Sequence, residues 1–405
     1  MKTVVAETVM LGREAFETLG EVDVIPDRQI GPEHLTDADA LIIRSKTKVT
    51  PELLAGSSVR FVGTATAGFE HMGWLANRSS EEQSVGWCAS PGCNADSVAD
   101  YITAALLLLQ TCARVELKGK TIGIIGVGQV GSRVAKRAEA LGLRVLLNDP
   151  PRAAREFPMV EKNGSEMFQG SGKNKSAGSA CFHGLEKLLA ASDIVTMHVP
   201  LITETPWPTL HMADGRFFEK MKRGSTFVNA SRGQVLDADA LLHAKENGVI
   251  AHAVLDVWNP EPCFRTDVLA AADIATAHIA GHSLEGKLNG TVHVYREACQ
   301  FFEQQPTWDP TSNLPALALP ELRIDSREKT NIEVLAAAAL AAYNIAEDDS
   351  LLRKAAVTDE IERAKKFDFL RANYRVRREF FNTKVILSEE RPELLQKIHM
   401  LGFSI

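Results

Sequence analysis

Short apolar runs alternate with amphipathic segments along the first 290 residues of the chain. Residues 13–19 and 133–141 show the helical pattern between such runs. The apolar runs are Thr3–Ala6, Val22–Ile25, Ala40–Ile43, Arg60–Thr64, Lys120–Gly126, Arg144–Asp149, Asp193–His198, Thr226–Asn229 and Ala253–Val257. This alternation is typical of parallel sheets covered by helices on both faces. We therefore predict an α/β protein with doubly wound parallel sheets.

The pattern changes at two places, which predict three domains. The apolar segment Ala95–Ala113 contains no helix breaker and predicts a long helix that connects two sets of strands. We expect the first domain over residues 1–95 and 281–305, and the second over residues 96–280. A Pro-containing linker, residues 306–320, follows a helix at residues 292–304. Beyond it, residues 332–345, 358–378 and 392–401 read as helices and residues 383–387 as a strand, so residues 306–405 predict a small α+β domain.

Composition excludes several classes of protein. The net charge of −7 argues against a general nucleic-acid binder, which would carry a basic excess. The chain has neither an apolar run long enough to cross a membrane nor the N-terminal pattern of a secretory signal. The six cysteines lack paired metal-ligand spacing, so we expect reduced thiols, a cytoplasmic location and no metal site. Residues 163–179, rich in Gly, Ser, Asn and Lys, predict a surface loop.

A dinucleotide-binding pattern follows the first strand of the second domain. Gly126, Gly128 and Gly131 form G-x-G-x-x-G, with Gln129 and Val130 between the last two. The glycines allow a tight turn, close approach of the backbone to a pyrophosphate, and close packing of helix on strand. Asp149 ends the next strand, 18 residues after Gly131, where a carboxylate binds the ribose hydroxyls of NAD. We predict NAD, with NADP as the alternative because Arg152 follows closely.

Three later segments supply the chemistry of a 2-hydroxy acid oxidation. Arg232, Glu261 and His278 each follow a predicted strand, where an open α/β sheet binds its ligands. The arginine fork suits a carboxylate, and the histidine can remove a hydroxyl proton. A carboxylate bonded to the histidine would fix its tautomer. Each residue alone is ordinary, and the prediction rests on their order behind the dinucleotide pattern.

This order of motifs resembles the D-2-hydroxyacid dehydrogenase family over the first 290 residues. The resemblance implies a flavodoxin-like substrate domain (residues 1–95 and 281–305) and a Rossmann NAD domain (residues 96–280). It implies that Arg232, Glu261 and His278 are catalytic. It also implies a set of further residues around the cofactor, namely Val199, Ala230, Ser231, Asp256 and Gly281.

Other segments predict the kind of substrate. Arg44 and Ser45 follow one strand, and Thr66 lies in a small-residue loop after another, so both loops could bind an anion. Residues 89–95, 149–153, 278–287 and the C-terminal segment resemble one branch of the family, which acts on a small phosphorylated hydroxy acid. That resemblance implies a C-terminal dimerisation domain, hence a homodimer, and substrate contacts from Arg44, Ser45, Thr66 and His282. His282 departs from the tyrosine frequent at this position.

Two alternatives remain open. One is a dehydrogenase of the same family that acts on 3-phosphoglycerate or hydroxypyruvate, against which the C-terminal segment argues. The other is a protein that binds NAD and regulates a partner, against which the complete Arg232–Glu261–His278 set argues. A formate-oxidising relative is disfavoured because such proteins carry Gln where Glu261 stands.

Overall fold

The structure is a computed structural model that describes residues 1–78, 85–112, 114–156, 181–312 and 314–405. The loop predicted at residues 163–179 lies outside these ranges. The chain forms two compact units. The first comprises Met1–Ser97, His282–Ala318 and Val376–Arg378, and the second comprises Val98–Gly281, Leu319–Arg375 and Glu379–Ile405. The three-domain division remains a prediction.

All described strands pair in parallel. The strands are β1 (Lys2–Ala6), β2 (Glu21–Ile25), β3 (Ala40–Ile43), β4 (Phe61–Thr64), β5 (Gly86–Cys88), β6 (Thr121–Ile125), β7 (Arg144–Asn148), β8 (Ile194–Met197), β9 (Ser225–Asn229), β10 (Ile250–Leu255), β11 (Ile274–Ala275), β12 (Glu321–Ile324) and β13 (Lys384–Leu387). The first unit holds a sheet of order β2-β1-β3-β4-β5, and the second a sheet of order β11-β10-β9-β8-β6-β7. Strands β12 and β13 form a separate pair. The predicted doubly wound parallel α/β fold is thus confirmed.

The helices connect the strands and cover the sheets. They are α1 (Gly12–Phe16), α2 (Pro51–Leu54), α3 (Gly73–Ala76), α4 (Ala95–Thr111), α5 (Gln129–Ala140), α6 (Pro150–Glu156), α7 (Leu185–Ala191), α8 (Gly215–Glu219), α9 (Ala238–Glu246), α10 (Thr266–Ala271), α11 (Leu284–Phe301), α12 (Asn331–Ala342), α13 (Ile345–Ala355), α14 (Glu360–Ala372) and α15 (Pro392–Met400). Among the residues described, no helix is both long and apolar enough to span a membrane.

Three details differ from the sequence prediction. The helix predicted at residues 332–345 instead covers nearly all of α12 and the first residue of α13, because the Asn344 side chain accepts the N–H of Glu347 and begins α13. Helix α14 ends at Ala372 rather than at residue 378. Beyond that end, Tyr374 and Arg375 turn to hydrogen-bond the buried carboxylate of Asp348. Strands β5, β11 and β12 were not predicted, and β5 and β11, with three and two residues, are too short to show an alternating pattern.

The second unit buries a core to which the C-terminal segment contributes directly. Leu394, Ile398 and Phe403 belong to the same buried cluster as Val134 and Ala138 of α5. These side chains are at most 2% exposed. Burial of such side chains contributes about 1.5–3 kcal/mol each before entropic costs. Residues 319–375 and 379–405 therefore complete the hydrophobic core of the unit that contains the dinucleotide pattern.

Candidate active site

The glycine pattern forms the turn from β6 into α5. Gly126 has a left-handed φ of 86°, and a side chain there would stand 2.5 Å from the carbonyl oxygen of His198. A Cβ on Gly131 would stand 2.0 Å from the Gly126 carbonyl oxygen. A Cβ on Gly128 would meet nothing within 4 Å, so this glycine faces open space at the N-terminus of a twelve-residue helix. A pyrophosphate could therefore reach the N–H groups at the N-terminus of this helix.

Asp149, which follows the neighbouring strand β7, hydrogen-bonds the turn between β6 and α5. Its Oδ2 accepts the backbone N–H of Val127 at 2.8 Å, and its Oδ1 accepts that of Arg152 at 2.9 Å. Arg152 turns its guanidinium to the Val127 carbonyl oxygen and to Glu156. A carboxylate oxygen has lone pairs for a further bond, so Asp149 can still accept from a ribose hydroxyl. Because the Arg152 guanidinium is paired with Glu156, it is less suited to bind a 2′-phosphate, which weakens the NADP alternative.

The turn lies where the strand order of the sheet reverses, which is where such sheets bind ligands. Strands β6 and β8 are neighbours there, and β8 continues into His198 and Val199. The Val199 side chain comes within 3.0 Å of the position a Gly126 Cβ would take. The His198 Nε2 lies 3.0 Å from the Thr196 hydroxyl oxygen. Burial lowers the pKa of His198 to about 3, so this imidazole is neutral at physiological pH.

The segment after β9 carries Ala230, Ser231 and Arg232. Both the N–H and the hydroxyl of Ser231 donate to the Asn229 side-chain oxygen, at 3.0 and 2.8 Å. The Asn229 amide in turn donates to the Arg232 carbonyl oxygen at 3.1 Å. Gly233 follows, and its Cα packs so closely on the Trp258 backbone that no Cβ would fit. These contacts fix the backbone from which Arg232 projects, at the carboxyl edge of the sheet.

Glu261 and His278 form a hydrogen-bonded pair. The Glu261 Oε2 lies 2.9 Å from the His278 Nδ1, and its Oε1 accepts the Trp258 backbone N–H at 2.9 Å. Burial alone would raise the pKa of Glu261, but His278, the Trp258 N–H and the charge of Arg371 together hold it below its ordinary value. The carboxylate is therefore ionised and holds a proton on Nδ1. The other ring nitrogen, Nε2, is then left to exchange a proton with a substrate.

The backbone at His278 is held in a left-handed turn by Asp256. His278 has a φ of 54°, a conformation that costs roughly 1–2 kcal/mol for a residue with a side chain. The buried Asp256 carboxylate accepts the N–H groups of Ile279 and Ala280, at 2.8 and 2.9 Å. The Asp256 carbonyl oxygen accepts the His278 N–H at 2.7 Å. Asp256 thus aims the His278 side chain, a role distinct from the cofactor contact implied by the resemblance.

Thr276 and Tyr101 support Asp256 through a chain of buried hydrogen bonds, which we call the relay. The Thr276 hydroxyl oxygen lies 2.6 Å from the Asp256 Oδ1 and 2.9 Å from the Tyr101 hydroxyl oxygen. Because a carboxylate only accepts, Thr276 donates to Asp256 and accepts from Tyr101. Burial raises the pKa of Tyr101 well above its ordinary range, which keeps the phenol protonated as a donor.

The candidate substrate residues lie in the first unit. Arg44 and Ser45 follow β3, and the Arg44 guanidinium donates to the Thr8 carbonyl oxygen at 3.3 Å. Thr66 follows β4, with its hydroxyl 2.8 Å from that of Thr64. Strands β3 and β4 are adjacent and parallel, so both loops lie at one edge of the sheet. His282 belongs to the same unit and precedes α11.

Sequence reasoning missed several residues that shape this site. Tyr101, Thr276, Trp258, His198 and Arg371 support the pair or the turn, but none stands in a recognisable motif. None of these positions gave a sequence signal, because a threonine beside a strand, such as Thr276, is ordinary. By contrast, the structure brings Glu261 to His278 as predicted, and it brings Gly126–Gly131 to Asp149.

Comparison with known proteins agrees with this geometry. Residues 108–280 match the family model of the D-isomer specific 2-hydroxyacid dehydrogenase NAD-binding domain, and residues 313–402 match a domain of unknown function (DUF3410). Two solved structures share the fold. They are the TT0316 protein of Thermus thermophilus (23% identity, TM-score 0.59, 76% of this chain and 98% of that one) and the D-lactate dehydrogenase of Aquifex aeolicus complexed with NAD and lactic acid (23%, 0.58, 74% and 95%).

Fold and site define an NAD-dependent dehydrogenase of the D-isomer specific 2-hydroxyacid type. Proteins named erythronate-4-phosphate dehydrogenase align over the whole chain. That of Yersinia enterocolitica is 40% identical over 408 residues, covering 100% of this chain and 99% of the relative. That of Cronobacter sakazakii is 41% identical over 406 residues, covering 100% and 98%. The chain belongs to the erythronate-4-phosphate dehydrogenase family.

Proposed function

We propose that this chain oxidises 4-phospho-D-erythronate to 2-oxo-3-hydroxy-4-phosphobutanoate with NAD, a step in pyridoxal 5′-phosphate biosynthesis. The full-length similarity to proteins of that name supports the choice of substrate. The observation that carries the chemistry is the 2.9 Å contact between Glu261 and His278 in the unit that holds the dinucleotide turn.

In this proposal the catalytic residues are Arg232, Glu261 and His278. The His278 Nε2 takes the proton of the C2 hydroxyl while the C2–H bond breaks and the C2 oxygen becomes a carbonyl. NAD, held by the turn of Gly126–Gly131 and by Asp149, would supply the hydride acceptor. Glu261 stays ionised and stabilises the imidazolium that forms. Arg232 binds the substrate carboxylate and the oxygen that becomes the carbonyl, through its planar fork.

The proposed cofactor residues fall into two groups in the second unit. Gly126, Gly128, Gln129, Val130 and Gly131 would offer backbone N–H groups and space to the pyrophosphate, and Asp149 would bind the adenosine ribose. The second group lies along the carboxyl edge of the sheet: Val199, Ala230, Ser231, Asp256 and Gly281. The open space beside Gly128 supports the first group directly.

We propose that Arg44, Ser45, Thr66 and His282 bind the substrate. Hydroxyls, a guanidinium and an imidazole suit the carboxylate and phosphate of a phosphorylated hydroxy acid. Arg44 and Ser45 lie beside the loop of Thr66 at one sheet edge, which supports a shared anion site.

The direct test measures NADH formation by purified protein with 4-phospho-D-erythronate, 3-phosphoglycerate and D-lactate in parallel. A second set of assays includes a 2-oxo acid to recycle tightly held cofactor. We expect turnover on the erythronate ester, and loss of about 100-fold or more in His278→Ala with NAD binding kept. Turnover on 3-phosphoglycerate instead would contradict the proposed substrate. NAD binding without turnover on any hydroxy acid would favour the regulatory alternative.

We also propose a cytoplasmic homodimer. None of the six cysteines, all of which are among the described residues, forms a disulfide, as expected in a reducing compartment. The C-terminal segment exposes large apolar side chains, among them Ile361 (68%), Phe369 (63%) and Phe381 (51%), which a second copy could cover. Light scattering behind size-exclusion chromatography measures the mass, and a monomer at micromolar concentration would contradict the dimer. Cell fractionation tests the location.

A further inference from the structure

One face of helix α14 packs against the loop that carries Glu261. Arg363, Phe367 and Arg371 are spaced four residues apart and therefore lie on the same side of this helix. The helix and the loop of residues 257–265 belong to the same compact unit. Helix α14 lies within residues 313–402, the segment that matches a domain of unknown function.

The central contact of this face is a row of three aromatic rings. The Phe264 ring lies between Trp258, at 5.4 Å between centroids, and Phe367, at 5.7 Å. Phe264 and Phe367 are fully buried, and Trp258 is 4% exposed. Trp258 is the residue whose backbone N–H binds Glu261. The row therefore connects the helix to both ends of the loop on which Glu261 stands.

Arg363 fixes the far end of the same loop. Its guanidinium donates to the Val357 carbonyl oxygen at 2.7 Å and lies 3.6 Å from the Cys263 sulfur. The same group stands over the Phe264 ring, 5.8 Å from its centroid. Cys263 and Phe264 follow Glu261 by two and three residues, so these contacts limit how far the loop can move.

Arg371 places a positive charge on the same face of α14. Its guanidinium stands over the Phe367 ring at 5.9 Å, and its positive charge helps to lower the pKa of Glu261. Burial of Glu261 acts in the opposite direction, because it disfavours the carboxylate. A positive charge that acts on a carboxylate favours its ionised form.

We propose that the face of α14 formed by Arg363, Phe367 and Arg371 is a positioning surface for the catalytic pair. The aromatic row holds the loop so that Glu261 faces His278, and Arg371 balances the charge of the Glu261–His278 pair. This inference rests on the proposed roles of Glu261 and His278. It gives the C-terminal segment a part in catalysis within its own chain, separate from dimer formation.

The test replaces Arg371 by glutamine and measures kcat/KM for the oxidation against pH. With the guanidinium charge gone, the Glu261 carboxylate favours protonated His278 more strongly, so the neutral base forms only at higher pH. We expect the acid limb of the profile to move upward by on the order of half a pH unit. Arg371→Lys retains the charge and should keep the wild-type profile. Lys365→Gln removes an exposed charge from the same helix and should also leave the profile unchanged.

A second readout needs no substrate. Diethyl pyrocarbonate reacts with a histidine only when its imidazole is neutral, so mass spectrometry that locates the modification at His278 follows the protonation of this residue against pH. We expect the modification of His278 to move upward in pH in Arg371→Gln by the same amount as the rate profile. An unchanged pH dependence in Arg371→Gln, or an equal shift in Lys365→Gln, would overturn the inference. If wild-type protein turns over no hydroxy acid, the proposed function fails while this readout still decides the role of Arg371.

Discussion

At the scale of single residues, the geometry of His278 depends on the buried side chains of Asp256, Thr276 and Tyr101. Its left-handed backbone is held by Asp256, and the Asp256 carboxylate is held in turn by Thr276 and Tyr101. A catalytic base must be placed to within a fraction of an ångström to act. The precision of this site therefore comes from buried hydrogen bonds behind it.

Replacing Thr276 by valine tests this relay. Valine keeps the shape of the side chain but leaves the buried Tyr101 hydroxyl without its acceptor, at a cost of about 1–3 kcal/mol in unfolding free energy. We expect kcat to fall roughly tenfold as the turn at His278 loosens. Steady-state kinetics and urea melts measure both effects. Thr276→Ser keeps the hydroxyl and serves as the control, and wild-type kcat in the valine variant would contradict the relay.

His198 predicts a dependence of stability on pH. The folded protein lowers its pKa from 6.5 to about 3, so between these values the unfolded chain binds a proton that the folded chain does not. Folding stability due to this group is therefore complete above pH 6.5 and is lost as the pH falls. The slope is at most about 1.4 kcal/mol per pH unit. In His198→Gln, urea melts across this range should show a flatter dependence, whereas curves parallel to wild type would refute the assignment.

At the scale of elements, motifs with fixed spacing could be predicted from the sequence, but contacts that join one element to another could not. The turn from β6 to α5 and the segments carrying Arg232, Glu261 and His278 follow from glycine spacing and strand patterns, because these constraints are local. The support of Asp256 by Tyr101 joins residues 155 positions apart, and no local pattern encodes it. The short strand β11 was equally invisible, since two residues show no alternation.

Gly128 and Gly131 of the dinucleotide turn predict opposite phenotypes. Gly131→Ala would place a methyl group 2.0 Å from the Gly126 carbonyl oxygen, so we expect a loss on the order of 3 kcal/mol in stability. The methyl group in Gly128→Ala meets nothing within 4 Å, so we expect an unchanged melting temperature. We expect NAD to bind more weakly by roughly tenfold or more. Thermal melts and calorimetric titration separate the two. Equal NAD affinity in Gly128→Ala would place the pyrophosphate elsewhere.

At the scale of the whole molecule, the C-terminal segment and the nucleotide-binding part of the second unit share one interior. Arg137 of α5 and Asp100 of α4 form a buried ion pair at 2.6 Å. The Phe380 N–H donates to Asp100 at 3.1 Å, and the Phe380 ring stacks on Phe403 at 4.5 Å between centroids. Because a buried charge depends on its partner, these elements stabilise one another.

This shared interior predicts a single unfolding transition for the second unit. Phe403→Ala removes a buried ring, so we expect a loss of about 3–5 kcal/mol. In a variant whose only tryptophan is Trp258, the fluorescence should shift in the same denaturant range as the circular dichroism. Leu351→Ala, at an exposed position of the same segment, should cost less than about 0.5 kcal/mol. Separate transitions in Phe403→Ala would mean that the C-terminal segment folds independently.

The place of Leu394, Ile398 and Phe403 in that interior has a consequence for biosynthesis of the chain. Ribosomes release the N-terminal part first, and domains generally fold as they emerge. Here the residues that close the interior are translated long after strand β6 and helix α5. The nucleotide-binding region of the nascent chain therefore exposes an apolar surface until Phe403 has been translated, which makes it a client for chaperones. A premature stop codon near residue 390 would yield an aggregation-prone chain rather than a smaller dehydrogenase.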